Sequence, residues 1–282
     1  MRYLFKISLS LLVCSNGLLL PSSHAQSISS QDALSQKSTS KALLQKNLIK
    51  KPQPIQKEFS VGARLFTDGW GVFAERGTVK SEEKESDLFY HLRFYQLEIG
   101  EHKHAKEVKV TNTGPNYGDK PRPYKYGKIN NFYTLKLGYG FRKMIAGKPD
   151  PGTVSIHWVY AGGLSIGMLK PYYLDAVVEN GRLKAIKYDD APEYFLPDPP
   201  NQMRIVGHSS FFEGIGKTKI VPGIYAKTGL HFDIAALRKR KLAIETGLSG
   251  ELYTQKMPIM ATVKAFPYVL NGYISIQFGN RK

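Results

Sequence analysis

Residues 153–169, TVSIHWVYAGGLSIGML, change character at nearly every step. Val154, Ile156, Trp158, Tyr160, Leu164, Ile166 and Met168 share one parity. Ser155, His157, Ala161, Gly163, Ser165 and Gly167 share the other, and Val159 alone breaks the pattern. Successive side chains of a strand point to opposite faces, so this alternation specifies a β-strand with one apolar face and one small or polar face. Strands of soluble sheets usually run about 5–6 residues. A strand this long needs surroundings that favour an apolar stripe along its whole length.

Seven other segments read the same way: 59–66, 70–77, 88–99, 130–145, 219–234, 242–253 and 269–279. In the third, Leu88, Tyr90, Leu92 and Phe94 are set opposite His91 and Arg93. The connections alternate in length. Those at 78–87, 146–152 and 235–241 are short and share one end, whereas 100–128 and 170–217 are long and share the other. An even antiparallel set with short turns at one end and long loops at the other matches a bacterial outer-membrane barrel. The turn TDG at residues 67–69 is short on the long-loop end, so the pattern alone leaves open whether 59–77 joins the barrel. The expected fold is all-β, a closed antiparallel up-and-down transmembrane β-barrel of about eight strands. In lipid every backbone N–H and C=O needs an internal partner, and closure removes the sheet edges.

The N-terminus agrees. Arg2 and Lys6 precede the apolar run ISLSLLVCSNGLLL, and Ser23 and Ala25 sit where a signal peptidase reads small residues. We read 1–25 as a Sec signal peptide, 26–57 as a flexible periplasmic leader rich in Ser, Gln and Lys, and 58–282 as the barrel. Cleavage after Ala25 removes the only cysteine, Cys14, so the mature chain is stabilised without disulfides. No later segment reaches the ~18–20 uninterrupted apolar residues of a spanning helix. The formal charge of +17 favours anionic surfaces. For an exported chain these are lipid phosphates or acidic glycans rather than nucleic acid.

The segments YGKINNFYTLKLGYGFRK, GGLSIGMLKPYYL, VPGIYAKTGLHFDI and GYISIQFGNRK resemble the outer-membrane β-barrel proteins of Bacteroidetes-type bacteria, small OmpA-like or PorT-like barrels. The likeness spans roughly residues 58–282. It lies in glycine–aromatic alternation and in a last strand that ends on an aromatic, Phe278, followed here by GNRK. The resemblance implies an outer-membrane location, the barrel-assembly machinery as a partner during biogenesis, and no catalytic motif.

Several residues invite chemistry. Arg64, Glu75, Arg93, Lys136, Arg142, Lys227, Asp233, Glu245 and Glu251 fall on the polar parity and are expected to pair inside the barrel. An eight-stranded barrel is just wide enough to be filled by side chains. His231 and Asp233, two apart on one face, could form a base and its orienting carboxylate, with His157 nearby. No nucleophile motif accompanies them, and an interior histidine is the preferred reading, so no enzyme activity is expected. His102 and His104, two apart in EHKH, have a spacing that could bind a metal weakly, but no further ligand cluster accompanies them. Asp189, Asp190, Glu193 and Asp198 could gather calcium but lack the glycine-punctuated spacing of a calcium loop, and no metal or cofactor is expected. Lys103, Lys106, Lys109, Lys120, Arg122, Lys125 and Lys128 could meet lipopolysaccharide phosphates. Trp70, Trp158 and the strand-end tyrosines suit aromatic girdles. The function implied is structural, surface-interacting or accessory to envelope assembly or export, and the role admits an envelope protein partner. The rivals are a soluble lipocalin-like ligand-binding barrel and a barrel enzyme acting on lipid.

Overall fold

A computed structural model describes residues 57–79, 91–112, 122–147, 154–178, 180–196, 204–234 and 240–282. The proposed signal peptide and leader lie almost wholly outside the described residues. Eight strands close into one antiparallel barrel: β1 Lys57–Phe66, β2 Gly69–Val79, β3 His91–His102, β4 Asn130–Ala146, β5 Val154–Pro171, β6 Lys219–Ile234, β7 Arg240–Tyr253 and β8 Tyr268–Arg281. Each pairs with its neighbours in sequence, and β1 pairs with β8 to complete the circle. The first hairpin therefore belongs to the wall, with Glu58 opposite Arg281 on one side and Gly77 on the other.

The register sets the tilt. One row of partners runs Val61, Ala74, Leu97, Leu137, Leu164, Ile224, Leu252, Tyr268. Tyr268 lies five residues before Tyr273, the partner of Phe66. The circuit therefore closes ten residues further along β1. A shear of that size on eight strands tilts them steeply and leaves a bore that side chains can fill.

Alternation decides which side faces where. On β5, Val154, Trp158, Tyr160 and Leu164 point outward and are exposed, whereas Ser155, His157 and Ser165 are buried inside. Val159, the residue that breaks the pattern, lies on the inner face in an apolar cluster with Leu92, Phe94 and Ala161. The expected orientation of β3 is reversed. Leu92 and Phe94 face inward, and Arg93 stands outside over the ring of Phe141 at 6.0 Å. Both parities of this strand carry apolar residues. The face is settled by Gln96 and Glu98, which the bore can satisfy and the outer wall cannot.

The inward glycines make room for large neighbours. A Cβ on Gly138 would stand 1.7 Å from Tyr225 Oη, and one on Gly140 would stand 2.6 Å from the Phe94 ring. Glycine–aromatic alternation in β4 is therefore a packing requirement.

The long connections form a cap of their own. Leu174–Val177 pairs with Leu183–Ile186 and with Ile205–His208 in a three-stranded sheet, and Lys109–Val110 pairs with Tyr124–Lys125. Between the first two strands of the three-stranded sheet the chain turns through Gly181 at φ +68°. Tyr124, Leu174, Ala176, Ile186, Tyr194, Phe195 and Ile205 share a buried core, with Ile129 and Ala261 packed against it.

Candidate functional site

Charge fills the bore. Among the described residues, six carboxylates (Glu58, Glu75, Asp233, Glu98, Glu245, Glu251) and six cations (Arg64, Lys136, Arg142, Lys227, Lys241, Arg281) are buried on the inner faces of the strands. The two sets balance, so the excess positive charge of the chain lies elsewhere.

The pairs form three linked groups. Nearest the chain ends, Glu58 accepts from Arg142 at 2.9 Å, from Arg281 at 3.1 Å and from Lys241, while Arg281 also holds Asp233. In the middle, Glu245 accepts from Lys227 at 3.0 Å, Tyr273 at 3.0 Å and Arg64 at 3.4 Å, and Arg142 reaches Glu75. Towards the loops, Lys136 bridges Glu98 at 3.2 Å and Glu251 at 2.5 Å. Arg64 joins the second and third groups by bonding Glu98 as well. Beyond them Phe132, Leu169, Val221, Tyr253 and Met257 form an apolar cluster at the loop end of the bore. Burying an ion outside water is unfavourable by several kcal/mol, roughly, unless partners and hydrogen bonds surround it. Each group here supplies them.

Of the expected interior residues, Arg64, Glu75, Lys136, Arg142, Lys227, Asp233, Glu245 and Glu251 sit in this network, and Arg93 does not. Sequence reading missed Glu58, Glu98, Lys241 and Arg281. The parity of β1, β7 and β8 points to three of these, but they lie at strand ends where the alternation had been cut short. Glu98 was hidden by the reversed face of β3.

His231 and Asp233 are not a couple. His231 Nδ1 lies 3.2 Å from Glu245 Oε2, and Asp233 pairs with Arg281. His157 faces His231 across the strand pair, ring centroids 5.9 Å apart. All three are inside the bore. His102 is also inside, 2.9 Å from Asp68, whereas His104 is in the loop and accepts the Lys106 amide. The two histidines are thus separated. Asp189 and Asp190 pair with Lys187, and Asp198 lies outside the described residues.

The basic loop divides as well. Lys103, Lys106, Lys109 and Arg122 are exposed, with Arg122 holding Asp175 at 2.7 Å. Lys120 lies outside the described residues. Lys128 is a correction: it is fully buried in the cap, 2.8 Å from Glu107, which Lys125 also bonds. Burial pushes the Lys128 ammonium down to about 8 despite the carboxylate, with Lys125 adding repulsion. Burial would raise the Glu107 carboxyl, but the two lysine hydrogen bonds hold it below its usual range. Neither Lys128 nor half-buried Lys125 is placed to reach an external phosphate.

A cleft of about 320 Å³ lies at the loop end of the outer wall. It is lined by Glu101, Asn131 and Tyr133, by residues 170–173, and by residues 208–211 and 213. Lys170 bonds the Phe211 carbonyl and stands 3.9 Å from that ring's centre.

No family model matches the sequence, and no curated protein matches it. Solved structures similar to it include the N-terminal β-barrel domain of Pseudomonas aeruginosa OprF, at 8% identity and TM-score 0.32 over 80% of this chain and 99% of that one. Neisserial surface protein A shows 7% identity and TM-score 0.36 over 80% and 96%. The translocator domain of the autotransporter NalP from Neisseria meningitidis shows 10% identity and TM-score 0.23 over 89% and 98%.

Proposed function

We propose that this chain is an integral outer-membrane β-barrel of a Gram-negative envelope, of Bacteroidetes type, exported by a cleaved Sec signal. The observation that carries the reading is an inverted partition. Leu164 is 63% exposed on the outer wall, while its neighbour Ser165 is 1% exposed inside. Phe59, Val61, Leu65, Val72, Leu97, Ile99, Leu137, Ile224, Leu248, Leu270, Ile274 and Phe278 extend the same exposed stripe around the circumference. Water disfavours so large a continuous apolar surface, and a bilayer favours it. A soluble ligand-binding cup would carry the reverse, with its apolar residues lining the interior.

The paired charges that fill the bore support a structural, surface-interacting or envelope assembly/export role rather than conduction. His231 and Asp233 are enclosed among those charges, so neither is placed to act on a lipid substrate outside the barrel. On this reading the partners are outer-membrane lipid, lipopolysaccharide phosphates at Lys103, Lys106, Lys109 and Arg122, the barrel-assembly machinery during biogenesis, and an envelope protein partner. Fractionation with heat-modifiable gel mobility tests it. Retention in the outer membrane through carbonate washing, with faster migration before boiling, is expected; release by salt or carbonate overturns it.

A further inference from the structure

We propose that the cleft lined by Glu101, Tyr133 and residues 208–211 binds a sugar ring of an outer-leaflet glycolipid, while Phe211 and Phe212 reach into the adjoining acyl layer. This rests on the outer-membrane reading and adds a site distinct from the exposed lysines. Position is the first argument. Trp70, Glu101 and Tyr133 are consecutive outward-facing partners across β2, β3 and β4, and Trp70 Nε1 donates to Glu101 at 3.0 Å. They stand at the loop end of the apolar wall, the level at which tryptophan and tyrosine line a membrane interface. The cleft therefore opens where lipid headgroups would lie.

Its chemistry is the second argument. Glu101 and Glu213 offset Lys170, whose ammonium is already engaged by the Phe211 carbonyl and ring, so no free cation dominates the cleft. That composition suits a neutral hydroxylated ligand better than a phosphate. Asn131, Tyr133 and the carboxylates offer donors and acceptors for hydroxyls, and tyrosine rings offer flat apolar faces for C–H groups. Its volume is at the small end of ligand sites, which suits one ring.

The third argument is an exposed aromatic pair. Phe211 is 61% and Phe212 77% exposed, edge to face at 5.7 Å, beside a cleft on the lipid-facing wall. Exposed aromatics at that level gain by burial in acyl chains.

The test uses the full chain carrying Trp158→Phe, so that Trp70 is its only tryptophan. It is reconstituted in phosphatidylcholine nanodiscs and titrated with lipopolysaccharide, with the lipid-free core oligosaccharide of that lipopolysaccharide, and with phosphatidylglycerol. Saturable Trp70 emission shifts with both sugar-bearing ligands, and none with phosphatidylglycerol, are expected. Asn131→Ala with Tyr133→Phe should weaken both at least tenfold. Phe212→Ser, at an exposed position outside the cleft lining, should weaken only the lipid-linked form and leave the barrel intact. An equal response to phosphatidylglycerol, no saturable shift, or unchanged binding by a reconstituted Asn131/Tyr133 variant overturns the cleft proposal alone. Failure of the parent chain to enter a bilayer overturns the membrane reading and this one with it.

Discussion

Lys227 Nζ lies 3.0 Å from Glu245 Oε1, and both side chains are enclosed in the barrel. Arg64, Tyr273 and His231 converge on the same carboxylate. Removing its charge therefore strands several donors at once. Glu245→Ala is expected to destabilise the barrel by about 3–5 kcal/mol, the range for breaking a buried pair from one side. Urea unfolding in lipid vesicles measures this. Adding Lys227→Met to Glu245→Leu should recover part of the loss, and a single variant within about 1 kcal/mol of the parent would contradict the network's role.

Leu137 and Leu164 are cross-strand partners on the outer wall. An arginine on a lipid face near mid-bilayer is unfavourable by about 2–4 kcal/mol. Leu164→Arg should therefore lower the yield of heat-modifiable, membrane-assembled protein. In a soluble barrel the same change would be neutral or would raise solubility, so the sign separates the two environments.

Gly138 lies directly under Tyr225. Gly138→Ala drives a methyl against the phenol and should destabilise by about 1–3 kcal/mol, the usual penalty for overpacking. Tyr225→Leu in the same chain should relieve much of it, as read from paired unfolding curves.

The cap carries a pH dependence of its own. Lys128 is held below its ordinary range, to about 8, so its burial opposes folding while it is charged. That opposition fades as pH rises from about 8 towards the free-lysine value, and cap stability should rise across this window. Glu107 adds a rise of the same sign at the acid end. Its depressed carboxyl stabilises above its ordinary pKa, and that contribution is lost as pH falls through the lower folded value. Amide exchange of residues 122–129 against pH checks both limbs, and Glu107→Gln should abolish the acid limb.

Strands were legible where one parity was uniformly apolar, and β6 was read at Lys219–Ile234 without error. In β3 the apolar residues change parity between Phe94 and Tyr95, so local alternation could not say which face was inside. Only the polar partners Gln96 and Glu98 could, and they bond within the assembled barrel. The cap was illegible for a similar reason. Tyr124 meets Leu174 and Ile205 through contacts between distant loops, and Lys128 finds Glu107 only when the cap is folded. Composition made those lysines look solvated, and burial made one of them structural.

The outward orientation of the apolar parity is tested most directly at Leu164 and Ser165. Leu164→Cys, in a chain whose only native cysteine is Cys14 in the proposed signal, gives a single labelling site after cleavage. A bimane attached there and reconstituted in vesicles should emit in the blue and be strongly quenched by lipids brominated on their acyl chains. The same label at Ser165→Cys should be hard to attach or escape quenching. Water-like emission at Leu164→Cys, untouched by brominated lipid, would contradict a lipid-facing wall.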